Sequence, residues 1–192
     1  MNLKKELDAI SDLDQTYNDY WKLQTEYQNQ SLIDIPWNEF IKIVSMMNIK
    51  SRGIKIERRI IEKNNWKKAV QKEQGDAWLP TGEGIEIKTS FITPLKGSAV
   101  SLTGLRLWED QVKYYFLLVI DISDLSVAPK TYAYWVPKEE LQKLDDAERL
   151  GIPGMKKSAA TGNANVPKSL NIKKYELDEW AEKYSPYLGF KL

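Results

Sequence analysis

Leu3, Leu7, Ile10, Leu13, Tyr17, Tyr20, Trp21, Gln24 and Tyr27 recur in steps of three and four, the spacing of one face of an amphipathic helix. Such a helix needs a surface to dock on, and core packing is the ordinary destination of such a face. The stretch SLIDIPW interrupts it. Ser31 and Asp34 are candidate N-caps there, and Pro36 is tolerated in a first turn, so a second helix is expected through NEFIKIVSMMN. A third is expected within GIKIERRIIEKNNWKKAV, with Ile56, Ile60 and Ile61 on one side and Arg58, Arg59, Lys63, Lys67 and Lys68 around the rest. That basic face could lie along phosphates or be merely solvated; Glu57, Glu62 and Glu73 dilute it.

From Gln74 onward the period shortens from helix-like to strand-like. GDAWLP, IEIKTSFI, SAVSL, KYYFLLVIDI and TYAYWVP read as strands, with a Gly-rich turn at TGEG between the first two. A short helix follows in KEELQKL. The stretch GIPGMKKSAATGNANVPKS is rich in Gly, Ser, Asn and Pro and reads as a long loop, and LDEWAEKY closes the chain as a helix. The expected class is therefore α/β: a central mixed sheet flanked by helices, with a helical N-terminal segment. At 192 residues the chain is expected to form one domain, with residues 1–50 as the helical segment, 51–145 as the core, and 146–192 as a loop plus a C-terminal strand and helix.

Hydrophobic residues at 42% and charged residues at 29% describe a globular protein, and a net charge of +1 offers no global attraction to nucleic acid. No apolar run reaches the roughly 20 residues of a membrane helix, and Met1 to Ile10 is too polar for a secretory signal, so no membrane partner and a cytoplasmic location are expected. Two absences narrow the chemistry further. With no cysteine and no histidine, the chain lacks thiolate nucleophiles, thiolate zinc sites, imidazole bases and Ser-His-Asp triads. Catalysis here would rest on carboxylates, lysines and hard metal ions.

Those groups meet in GDAWLPTGEGIEIKTSF, residues 75–91. Alternation along a strand puts Glu86 and Lys88 on one face and Ile85 and Ile87 on the other. A hairpin of this length can return the chain so that Asp76 and Glu86 converge, offering hard oxygen ligands to Mg²⁺ (with Mn²⁺ able to substitute), and the Ile87 carbonyl is a third candidate ligand. Two carboxylates, a divalent ion and the Lys88 ammonium make a minimal apparatus for phosphodiester hydrolysis. The plain alternative is a half-exposed strand whose outer face carries an ion pair worth at most about 1 kcal/mol. This is the single Asp/Glu-x-Lys tripeptide of the chain.

The order of elements resembles the PD-(D/E)XK nuclease superfamily, in which a helix bearing an acid precedes a hairpin that carries Asp and then Glu-x-Lys. The resemblance spans about Ser51 to Leu141 and implies a restriction-endonuclease-like core, with Glu57 on the helix and Asp76, Glu86 and Lys88 as catalytic residues. Gly75 stands where the family commonly has proline. The stretches EGIEIKTSF, LRLWEDQVKYYFLLVIDI and YWVPKEEL look like type II restriction endonucleases, and Arg106, Trp108 and Gln111 fall in the segment that would neighbour the site. The length and helical N-terminus are similar to the small cleavage subunit of heterodimeric type IIS enzymes. That likeness implies a prokaryotic protein acting on double-stranded DNA, which cuts one strand beside a larger subunit that recognises the site and nicks the other. A homodimeric type II enzyme reading a palindrome is the alternative within the class; a non-catalytic DNA-binding or structural protein is the alternative outside it.

Overall fold

The computed structural model describes residues 32–93, 99–124, 126–153 and 165–192. The helix expected over Leu3–Tyr27, the Ser31 cap and most of the expected loop lie outside them. The described residues divide between two units, one ending at Lys55 and the other running from Ile56 to Leu192.

In the first unit, helix α1 (Trp37–Ser45) buries Phe40, Ile41 and Val44, positions spaced for one face, and Trp37 stacks on Phe40 at 5.5 Å. Its N-cap is Pro36, with no side-chain cap, rather than Asp34. Proline supplies the extended backbone of a cap and has no N–H to satisfy. At the other end, Arg52 Nη2 donates to the carbonyls of Ser45 (2.6 Å) and Met47 (3.1 Å), covering groups a helix terminus leaves open.

Helix α2 (Ile49–Lys63) begins before the expected third helix and ends sooner. Asn65 takes a left-handed φ of 53°, which stops the helix and turns Trp66 into the core, where it is 5% exposed. Lys67 and Lys68 accordingly sit in a short strand, β1 (Lys67–Lys68), and not on a basic helix face. The remaining elements are β2 (Ala77–Trp78), β3 (Gly84–Ile92), β4 (Ala99–Leu105), β5 (Val112–Asp121), β6 (Lys130–Pro137), α3 (Lys138–Asp146), β7 (Lys168–Lys173) and α4 (Leu177–Lys183).

Five strands form a mixed sheet in the order β1-β2-β3-β5-β6, flanked by helices, and β4 pairs with β7 in a separate two-stranded sheet. The β2–β3 pair is antiparallel with Ala77 opposite Ile85, while β3 and β5 run parallel with Glu86 beside Tyr115 and Lys88 beside Leu117. Alternation then gives the sheet two characters. One face carries Tyr115, Leu117, Val119, Tyr134 and Val136, which pack into one core with Val100, Leu102 and Leu105 of β4 and Leu170 and Ile172 of β7. On the other face Phe116 and Trp135 form an aromatic cluster with Trp66 and Phe190; the rings of Phe116 and Phe190 are 4.5 Å apart. Glu86 and Lys88 belong to the first face, at the margin of the core between the two sheets. Among the described residues no helix is long and apolar enough to cross a membrane.

Candidate active site

Backbone geometry brings Asp76 to β3. Gly75 has φ +83°, and a Cβ added there would lie 2.6 Å from the Ile85 carbonyl oxygen. The position excludes proline, whose ring fixes φ near −65°, and any larger side chain. From that turn the Asp76 N–H donates to the Ile85 carbonyl at 2.8 Å, and Asp76 Oδ2 accepts the Ile87 N–H at 2.7 Å. The carboxylate thus continues the β2–β3 ladder with its side chain. Because the N–H and C=O of one strand residue project to the same side, the Ile87 carbonyl lies on the edge that Asp76 occupies.

Glu86 is only 1% exposed, so the outer-face ion pair offered as the plain alternative does not describe it. The face holding it is covered by β4 and its following turn. Lys88 Nζ donates to Glu86 Oε1 and stands 4.0 Å from Asp76 Oδ2, so that one ammonium spans both carboxylates. Arg106 Nη2 donates to Glu86 Oε2 at 2.8 Å, and its Nη1 lies 3.5 Å from Glu109 Oε1. Gly104, at the register shift of β4, has φ +78°, a backbone that favours glycine, and it packs against the Lys88 stem: a Cβ there would touch Lys88 Cε at an ordinary 3.7 Å.

The charges act on one another through a poorly solvated site. Burial and then the charge of Glu86 push the Asp76 carboxyl up to about 6, against the pull of Lys88 and of the Ile87 N–H. Burial works to lower the Arg106 pKa, but the hydrogen bond and charge of Glu86 outweigh it and the guanidinium is held above its usual value. Tyr115 is fully buried beside Glu86; burial and that carboxylate raise its pKa, and its hydroxyl has no hydrogen-bond partner among the described residues.

Of the other residues singled out in the sequence, Glu57 accepts from Lys68 Nζ at 3.0 Å, and its charge adds a smaller upward push on Asp76. Gln111 serves through its backbone: its carbonyl accepts the Gly84 N–H at 3.1 Å at the start of β3. Trp108 lines a separate cavity with Gln142 and Asp146. Arg106 had no assigned role in the sequence and now has one partner in Glu86 and another in Glu109. Glu109 and Tyr115 were not singled out; the one available sequence signal was the Arg-x-x-Glu spacing at the end of β4, which is common in turns.

No protein-family model matches the chain, and no curated protein matches it.

Among the described residues no group of three or more His, Cys, Asp or Glu side chains is placed to hold one ion. The donor set at this site is instead two carboxylates and a main-chain carbonyl. That set suits Mg²⁺, which keeps several of its waters and takes few protein ligands. Burial first and the charge of Glu86 second raise the Asp76 carboxyl, and the Lys88 ammonium already stands between the two carboxylates, so an ion taking that place would displace Lys88 from Glu86.

Proposed function

We propose that the chain is a Mg²⁺-dependent DNA endonuclease of the PD-(D/E)XK kind, acting as the small cutting subunit of a heterodimeric type IIS restriction endonuclease. The observation that carries this reading is Glu86: a carboxylate 1% exposed in a central strand, met by Asp76 from the hairpin and by Lys88 from its own strand. A buried charge is costly unless it has a task or full compensation. The antiparallel β2–β3 pair, the parallel β5 beside β3 and the helix bearing Glu57 agree with a restriction-endonuclease-like core.

Asp76, Glu86 and the Ile87 carbonyl are the groups that would hold Mg²⁺, which when bound polarises the scissile phosphate and acidifies water at neutral pH. Lys88 reaches the same space on a flexible stem, with its side chain 23% exposed. Its three N–H donors orient the attacking water and compensate the charge that grows on the phosphate oxygens. Water attacks phosphorus, the bond to one sugar oxygen breaks, and that oxygen takes up a proton. With a net charge of +1 the chain brings little non-specific affinity for DNA, which fits delivery by a DNA-bound partner.

The test is a plasmid assay with Mg²⁺, using the chain alone and with a larger recognition subunit. The expected result is no cutting by the chain alone and, in the pair, cutting of the strand that the larger subunit does not nick. Asp76→Ala and Glu86→Ala should abolish it, and Lys88→Ala should slow it by about 10²–10³-fold while retaining metal binding. Double-strand cleavage at palindromes by the chain alone would replace the heterodimer with a homodimer; full activity in Asp76→Ala or Glu86→Ala would overturn the site.

A further inference from the structure

Tyr114 and Trp135 alternate with Tyr115 and Val136 along β5 and β6, so they lie on the sheet face opposite Glu86. With Trp66 and Tyr187 they wall a cavity of about 340 Å³, which the β2–β3 turn borders through Thr81 and Glu83. Trp135 is the hub of the wall. Its ring centre lies 5.1 Å from that of Tyr114, 5.3 Å from Tyr187 and 5.9 Å from Trp66, with the planes inclined by 36°, 90° and 64°. We infer that this cavity is a binding site for a quaternary ammonium group, borne by a small solute or by a trimethylated lysine side chain. The site is separate from the carboxylates of β3 and does not depend on their holding a metal.

Charge selects the sign of the guest. Glu83 is half-buried and is the one charged residue that lines the cavity. Thr81 Oγ1 donates to its Oε2 at 2.9 Å, and among the described residues no Lys or Arg is paired with it. Aromatic faces are themselves negative, so rings and carboxylate together attract a cation and repel a phosphate. The walls then choose among cations. An apolar lining strips water without returning hydrogen bonds, which costs most for a compact, strongly hydrated ammonium. A quaternary ammonium has no N–H to leave unpaired, and its methyl groups bury favourably against the rings. Shape argues the same way. A planar guest, whether guanidinium or nucleobase, is held best between parallel walls about 7 Å apart, twice a carbon–carbon contact distance. The rings around Trp135 instead touch it at an incline, which makes a corner for a rounded group and not a slot.

The walls are in place before any guest arrives. The Trp135 N–H donates to the Tyr184 carbonyl at 2.7 Å, and the Asn64 side chain clasps the backbone of Lys191 through bonds of 2.8 and 3.0 Å. The tail that carries Tyr187 is thereby fastened on both sides of it. Phe190 adds to the hold, 4.5 Å from Phe116 and 6.0 Å from Tyr187. Trp66 is 5% exposed, whereas Tyr187 is 45% exposed and forms the wall nearest solvent. Binding to walls already fixed loses little to ordering.

The experiment is calorimetric titration of the full-length chain, at one ionic strength, with four probes: choline, acetyl-trimethyllysine amide, the neutral tert-butyl isostere of choline, and cytidine. The cations should bind, and the neutral isostere should bind at least about tenfold more weakly than choline. The tighter of the two cations names the source of the group. Tyr187→Ala removes an exposed wall, and Glu83→Gln removes the charge while keeping an acceptor for Thr81; circular dichroism confirms that both are folded. Each should weaken cation binding by about 3–30-fold. Binding of neither cation, equal binding of choline and its isostere, tighter binding of cytidine than of both cations, or an affinity unchanged in both variants overturns the assignment. Each of these results leaves Mn²⁺ binding at Asp76 and Glu86 to be judged by its own test.

Discussion

Asp76 is held in the fold at a cost that can be measured. Its carboxyl titrates near 3.8 when unperturbed and is pushed up to about 6 in the structure by burial and by Glu86, so the folded protein favours its protonated form. Stability from that preference is complete below pH 3.8 and is lost as pH rises through about 6, where the buried carboxylate must ionise. Asp76→Asn keeps an oxygen for the Ile87 N–H and removes the charge. We expect the variant to be more stable than wild type at pH 8 by an amount on the order of 2 kcal/mol, with the difference vanishing near pH 4. Urea unfolding at the two pH values checks this, and a variant less stable than wild type at pH 8 contradicts it. At this scale the sequence was informative about identity and silent about environment. Asp76, Glu86 and Lys88 stood out because an acid, a turn and a lone acid-x-Lys fell in order. That Glu86 is buried could not be read from alternation, which assigns it a face but does not say whether that face is covered. The same holds for Arg106 and Glu109, whose meeting with Glu86 depends on how the β4–β5 turn lies over β3.

Among the elements, the β2–β3 hairpin does the positioning, and Gly75 is its critical residue. Its φ of +83° and the 2.6 Å approach to the Ile85 carbonyl mean that even an alanine forces the turn apart. Gly75→Ala should lower stability by about 2 kcal/mol or more. It should also weaken metal binding, because Asp76 moves with the turn and its bond to the Ile87 N–H is lost. Thermal unfolding together with Mn²⁺ calorimetry reads both; an Asp76 site intact in this variant would show that the turn is more pliable than drawn. The strands β3, β5 and β6 were legible because β-branched and aromatic residues run continuously in them. The end of α2 was not. Lys63 and Lys67 continue a helical spacing, and the helix stops on the left-handed backbone of Asn65 and the burial of Trp66, which only the assembled core imposes.

At the level of the whole molecule, the mixed sheet and its flanking helices follow from the alternation of helical and strand periods, whereas the pairing of β4 with β7 does not. Val100 meets Ile172 and Leu102 meets Leu170 across a long separation in sequence, and nothing in either segment names its partner. That pairing matters because it closes the face on which Glu86 sits and carries the β4 end that delivers Arg106. The account as a whole stands on one claim, that Asp76, Glu86 and the Ile87 carbonyl hold a divalent ion. The most direct measurement is anomalous diffraction from crystals soaked in Mn²⁺. The account predicts a peak between Asp76 and Glu86, about 2.0–2.3 Å from a carboxylate oxygen of each and from the Ile87 carbonyl. Crystals soaked in saturating Mn²⁺ that show no peak there, with Lys88 still between Asp76 and Glu86, would contradict it.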